Sequence, residues 1–374
     1  MAQIVPIIKQ RINELCRQRG FVPKGYFYAK ELSKGFWGLI SIRYISFHTA
    51  RKIDVSLGIF NDAIAGMNNA VFEHSTESNE RFWLIMSNIG WLDRDKPQRK
   101  VWLIDNISDT TEVCNSIFCS IDNIAYDFFD KYSNIDELIH VYENISTQPW
   151  PILNDNAVRV LPLLYLSKDK KSKGLNFLLQ YYSGFEVCSE NDINYVEKYD
   201  KLFGNPLLNE IRSGDIFSLI TESGAKRYFQ FVTKDTSEFD SDVIRIFKKV
   251  YPIDSSPSTA EIVGDTIECY MHTMVSWGLY LGLWTRSGND DNIGKLDISF
   301  RRSNDYGRFS LFEKRVSNNW EVWTMNQPKQ SVGMLPESHY SADIGDIGSP
   351  STVLKRINEG YFPSEWYPLY REQQ

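Results

Sequence analysis

A nucleophile, a base or a set of metal ligands would carry chemistry, and this chain offers few in useful patterns. Its five cysteines, Cys16, Cys114, Cys119, Cys188 and Cys269, are odd in number. Their spacing fits no zinc pattern, since Cys114 and Cys119 are not a C-x-x-C. The five histidines, His48, His74, His140, His272 and His339, are scattered singly. Cys269 and His272 are the nearest Cys–His pair, but residues three apart in a strand face opposite sides. Asp93-Arg94-Asp95 has the form of a metal-holding D-x-D, yet it follows Gly90-Trp91 and precedes Lys96-Pro97, which reads as a polar loop. Glu190, Asp192 and Glu197 fall in a polar stretch and read as solvated. There is no G-x-G-x-x-G, Walker loop, H-E-x-x-H or G-x-S-x-G. The sequence therefore assigns no catalytic residue, no metal and no cofactor.

Two other concentrations stand out. Between Asp105 and Glu143 lie nine acids, Asp105, Asp109, Glu112, Asp122, Asp127, Asp130, Asp136, Glu137 and Glu143, against one base, Lys131. Such a run is either a solvated helical face or an acidic surface that steers a basic protein partner. The second concentration is aromatic: Trp277, Tyr280, Trp284, Trp320 and Trp323 join Phe300, Tyr306, Phe309 and Phe312. These fill a small core or, where exposed, anchor an interface, because Trp and Tyr dominate binding hot spots. Trp320 and Trp323 differ by an odd number in one strand, so one is expected to face outward.

The elements that must position these residues follow from periodicity. Residues 3–19 read as an amphipathic helix stopped by Gly20. Strand signals follow at 26–28, 36–44, 53–60, 81–86 and 100–104. Phe36 to Ile42 is a continuous apolar run, suited to a strand covered on both sides. Ile53 to Ile59 alternates, suited to a half-buried strand. From Ser108 to Glu143 the period is helical, with Val113, Ile117, Ile121, Ile124 and Phe128 on one face. Two further helices are expected at 157–166 and 174–182. Residues 184–206 turn polar and end in Gly204-Asn205-Pro206, which reads as a linker.

The second half is strand-rich, at 216–221, 226–233, 243–251, 266–271, 280–284, 296–302, 308–314 and 320–325. Glu222-Ser223-Gly224 reads as a hairpin turn. Near the end Ser349 can cap a helix that starts at Pro350 and is stopped by Gly360. The expectation is an α+β protein of two domains. Residues 1–183 form a mixed sheet with packed helices and an acidic helical region. A linker spans 184–206, and residues 207–374 form a strand-rich domain with a C-terminal helix.

Composition agrees with two globular domains. The chain has 374 residues, and domains run roughly 100–200 residues each. Its 22 Phe, 20 Tyr and 10 Trp exclude a largely disordered chain. A net charge of -7 argues against a nucleic-acid binder, which needs a basic face. No stretch has the 18 or more apolar residues, roughly, of a membrane span, and the first residues lack a signal peptide's apolar region. With its odd cysteines, the chain reads as a protein of the reducing cytoplasm, with no nucleic acid and no membrane as partners.

Residues 206–370 resemble the immunity-protein-twenty-six family of bacterial polymorphic-toxin systems. The resemblance rests on Gly214-Asp215-Ile216-Phe217, on Tyr228-Phe229-Gln230-Phe231-Val232, on the segment from Trp277 to Trp284, and on Ile347-Gly348 through Pro363. Where relatives carry a glycine-containing turn after the second strand, this chain has Thr233-Lys234-Asp235. Residues 1–182 are similar to an uncharacterised bacterial family found beside toxin genes, on the first helix, Gly20-Phe21, Tyr26 to Tyr28 and Ile53 to Ile59.

The resemblance implies a non-catalytic immunity protein that protects its cell by occluding a cognate toxin. A basic nuclease is a candidate for that toxin. Candidate contact residues are Asp105, Asp109, Glu112, Asp122, Asp127, Asp130, Asp136, Glu137, Trp277, Tyr280, Trp284, Trp320 and Trp323. Two other readings stay open: an enzyme with its site in a cleft between the domains, and a sensor or scaffold whose second domain stacks a ligand on Trp277, Trp284 or Trp323.

Overall fold

The computed structural model describes residues 4–47, 50–72, 82–148, 151–152, 154–303 and 317–359. His48, His74, Arg81, Tyr306, the strand expected at 308–314, and Gly360 with the segment to Pro363 lie outside them. The chain is α+β and divides into two compact units, Met1–Gly174 and Leu175–Gln374.

The first unit opens with α1 (Ile4–Gln18), whose Ile4, Ile8, Ile12 and Leu15 form one buried stripe. Strands β1 (Val22–Lys24), β2 (Phe27–Ser33), β3 (Phe36–Phe47) and β4 (Ala50–Asn61) follow as a meander. Helix α2 (Asp62–Phe72) leads to β5 (Ile85–Asn88) and β6 (Val101–Ile104), both of which pair with β4. Every ladder of this six-stranded sheet is antiparallel, so the sheet expected to be mixed is not. Helices α3 (Thr110–Tyr132), α4 (Ile135–Glu143) and α5 (Asn154–Leu166) complete the unit.

The centre of the sheet is β4, and it is buried on both faces from Ile53 to Ile59, contrary to the half-buried reading. On one face, Gly38 pairs with Ile59 and lies beneath Phe129 of α3. On the other, Gly58 is covered by Trp83, whose ring would sit 2.6 Å from an added Cβ. The alternating polar residues are small or paired: Ser56 is buried, and the Asp54 carboxylate is held by Arg43 and Arg99. Pairing and small size let the polar positions go inside.

The two units divide within α6 (Lys171–Ser183), not in the stretch 184–206. That expected linker is instead α7 (Glu190–Leu202) with its flanking turns. Ser189 and Asp192 form a reciprocal capping box at its start, and Ile193, Val196 and Tyr199 are buried along it. A helix with a narrow apolar stripe looks polar in composition, which hid it.

In the second unit the sheet order is β10 (Ile267–Thr273), β9 (Ser241–Phe247), β8 (Lys226–Asp235), β7 (Asp215–Ile220), β11 (Thr285–Asn289). Short helices α8 (Thr259–Val263) and α9 (Val275–Tyr280) flank β10. A second sheet joins β12 (Ser299–Ser303), β13 (Trp320–Thr324), β14 (Gln330–Gly333) and β15 (Asp343–Ile344). The final helix, α10 (Pro350–Glu359), packs Val353 and Ile357 on a core with Phe217, Phe229, Ile244 and Trp284. Thr352 N–H donates to Ser349 Oγ at 3.3 Å, the cap read from the sequence. The expected strand at 280–284 is absent. That segment is the end of α9 and a turn through Gly282, whose φ is +71°.

Candidate functional site

The acidic region is built on α3 and α4. Cys114, Ile117, Phe118, Ile121, Ala125, Phe128, Phe129 and Tyr132 turn the inner face of α3 toward the sheet. Trp102 Nε1–H of β6 donates to Ser116 Oγ at 3.0 Å and fixes the helix over the strand. Ser133 ends α3, and Asn134 caps α4 by accepting the Asp136 N–H at 2.8 Å. The acids therefore fall on two helices and their flanks.

All nine acids lie at or near the surface, but four are paired with cations from outside the run. Asp122 takes Arg19 in a two-pronged contact at 2.5 and 2.6 Å. Asp127 pairs with Arg94 at 3.1 Å, Asp136 with Lys168 at 2.9 Å, and Glu143 with Lys173 at 2.5 Å. The other five, Asp105, Asp109, Glu112, Asp130 and Glu137, have no ion-pair partner among the described residues. The local excess of negative charge is thus smaller than the run alone suggests.

The outer face of α3 is a ridge between two grooves. One groove, of about 380 Å³, runs along Arg19, Phe21, Lys30, Asp122, Tyr126 and Asp130. The other, of about 830 Å³, lies between α3 and the loop from Gly90 to Lys100. Tyr126 is 77% exposed and stands one helical turn from both Asp122 and Asp130. Spacing alone could have singled it out, as a large aromatic off the apolar stripe of an amphipathic helix.

The loop wall of the larger groove is clamped at its neck. Asn88 Oδ1 accepts N–H groups from Gly90 and Lys100, while its amide donates to Asp54 and to the Lys100 carbonyl. Arg94 then crosses to Asp127 on α3, and Lys100 Nζ reaches Ser120 Oγ at 2.8 Å. Asp93 caps the following turn through the Asp95 N–H, so Asp93-Arg94-Asp95 is the polar loop expected. Among the described residues no group of three or more His, Cys, Asp or Glu could hold a metal ion.

The aromatic candidates do not form an exposed set. Trp277, Trp284, Trp320 and Trp323 are buried, and Tyr280 is half-buried. Trp320 and Trp323 do point to opposite faces of β13, but both faces are covered. Trp320 packs with Val322 and Leu335, and Trp323 with Phe300, Val243 and Met325. Trp284 lies in the core of the larger sheet, with its Nε1–H donated to the Val275 carbonyl at 2.9 Å. The four tryptophans stabilise the unit by burial and offer a ligand no open face.

The Cys269 thiol is buried and pushed well above its usual range by desolvation, which makes it inert. His272 is fully buried and belongs to a different cluster, described below. Glu197 pairs with Lys201 along α7.

No family model, curated protein or solved structure matches this chain. Among the described residues no helix is long and apolar enough to cross a membrane.

The residue that sequence reasoning missed in the second unit is Asp235. Its carboxylate accepts from Ser237 N–H and Oγ–H, from Asn326 N–H at 2.9 Å, and from Trp323 Nε1–H at 3.1 Å. His272 Nε2 completes the set at 3.0 Å. Burial acts to raise this carboxyl, but the donors from His272, Ser237, Asn326 and Trp323 outweigh it and hold it well below the usual range. With neither Asp235 nor His272 open to solvent, the cluster ties β8, β10 and β13 together and has no access for a substrate.

Proposed function

We propose that this protein is a cytoplasmic, non-catalytic binding protein of the immunity type, which neutralises a cognate bacterial toxin by occluding it. The resemblance of both halves to proteins of toxin loci supports this reading. The observation that carries it is the outer face of α3, where Tyr126 stands exposed in line with Asp122 and Asp130 between two grooves. An exposed Tyr flanked by carboxylates suits a basic protein such as a nuclease. The ring supplies contact area, while Asp130, with no ion-pair partner among the described residues, steers association. Of the contact residues expected from the sequence, this reading keeps the acidic helical face and leaves out the buried tryptophans of the second half.

The test is co-expression with the product of the adjacent gene, read by cell growth, followed by binding kinetics on the purified pair. Tyr126→Ala should weaken the complex by about tenfold or more. Asp130→Lys should slow association and flatten its salt dependence. Failure to protect, no complex, or wild-type kinetics in both variants would sink the reading.

A further inference from the structure

The face of the first sheet opposite α3 carries a second surface of different character. Register places Ile45 beside Lys52 and Lys52 beside Leu103, so three neighbouring strands present them side by side. Phe47 stands two residues along β3 on the same face. Ile45, Phe47 and Leu103 are 40%, 48% and 55% exposed, a clustered apolar strip at one end of the sheet.

The next row holds a built cationic pair. Arg43 and Asp54 face each other across β3 and β4, and Asp54 Oδ2 takes Arg43 at 3.1 Å and Arg99 at 2.5 Å. Asn88 holds the other carboxylate oxygen at 2.8 Å. One fully buried carboxylate thus gathers two guanidinium groups, whose side chains remain 60% and 53% exposed. Each guanidinium has five N–H donors, so most of them stay turned to solvent beside the apolar strip. Lys52 adds a third cation within the strip. These residues thus carry three cations against one carboxylate, with Asp105, which has no ion-pair partner among the described residues, two residues beyond Leu103. The site belongs to a stretch, residues 1–104, with 15 Lys+Arg against 9 Asp+Glu.

We propose that this face docks an acidic amphipathic segment of a partner protein. Its apolar side chains would cover Ile45, Phe47 and Leu103, and its carboxylates would meet Arg43, Arg99 and Lys52. Charge complementarity selects the acidic partner, and the form of the surface selects a polypeptide over a bilayer. The apolar side chains lie half-covered in a strip three strands wide, and the cations are two fixed forks and one lysine. Insertion into a membrane favours protruding apolar groups amid many mobile cations. The site is independent of the α3 ridge, and either can fail without the other.

Fluorescence anisotropy on the full chain tests this with a synthetic Leu-Glu amphipathic helix. The controls are its Leu-Lys counterpart and vesicles of phosphatidylcholine with phosphatidylserine. Isoleucine-methyl spectra locate the contact. The Leu-Glu peptide should bind, shift Ile45 and leave Ile121 and Ile124 unmoved. Leu103→Asp, at a position 55% exposed, should weaken it by about tenfold. Arg43→Gln should weaken it less and reduce its salt dependence. The proposal is overturned by no binding, by equal binding of the Leu-Lys peptide, by binding to vesicles alone, or by shifts confined to α3.

Discussion

Asp235 and His272 stand 37 residues apart in sequence and 3.0 Å apart in space, with neither side chain reached by solvent. The ionised carboxylate can only accept, so His272 donates from Nε2. Asp235 is thereby the point where β8, β10 and β13 are hydrogen-bonded into one core.

Replacing Asp235 by Ala should cost about 3–5 kcal/mol, because five donor groups from four residues lose a buried anionic acceptor together. The pH dependence follows from the lowered carboxyl. A group depressed on folding contributes stability above its unfolded pKa, about 4, and loses that contribution as pH falls through the folded value. Urea unfolding between neutral and acid pH should show an acid-side loss in the parent that is missing in Asp235→Asn.

Asp242 should behave in the opposite sense. Burial pushes its carboxyl up to about 6, against the pull of Lys234 and the Val275 N–H. A carboxyl raised on folding withdraws stability as pH climbs from about 4 to the folded value, with no further loss above it. Asn keeps an oxygen for the Val275 N–H. Asp242→Asn should therefore exceed the parent in stability by ~2–3 kcal/mol at neutral pH, with the gap closing near pH 4. A constant gap across that range would show that ionisation of Asp242 is not the cause.

Gly278 lies in α9, where Ala would ordinarily gain about 1 kcal/mol. Here an added Cβ would meet Trp284 Cζ2 at 2.1 Å. Gly278→Ala should destabilise by about 1–3 kcal/mol through overpacking. A double-mutant cycle with Trp284→Phe should show coupling, the Trp284 change costing less in the Gly278→Ala background than in the parent. Additive effects would mean that the two positions do not share the space.

The paired acids of α3 and α4 should matter little for stability. The Arg94–Asp127 pair is largely exposed on both sides, and Asp136 is exposed opposite Lys168. Asp127→Lys and Asp136→Lys should each change unfolding free energy by no more than about 1 kcal/mol. A larger drop in thermal melting would assign them a structural role.

Ser349 is the simplest check on a local rule. Its Oγ caps α10 at the Thr352 N–H and lies 3.3 Å from the Ser183 carbonyl. Ser349→Ala should cost ~1 kcal/mol and Ser349→Gly only a few tenths. Equal losses in denaturant titration would point to the Ser183 contact instead of the cap.

By itself the sequence determined the elements that obey one local rule. The stripe of α1, the period of α3, the capped start of α10 and the turn at Glu222 to Gly224 are all where spacing places them. The α+β class follows from these. Only the tertiary structure decided what covers each face. It made α7 from a polar stretch and turned 280–284 from strand to turn, where the buried Trp284 ring packs on Gly278. It also buried both Trp320 and Trp323, and it neutralised four of the nine acids with bases up to 103 residues away. Asp54 and Asp235 look like ordinary surface acids in the sequence. Their partners, Arg99 and Trp323, lie 45 and 88 residues downstream. Local periodicity reports the conformation of neighbours along the chain. Burial and charge state depend on groups that only folding brings within hydrogen-bond distance.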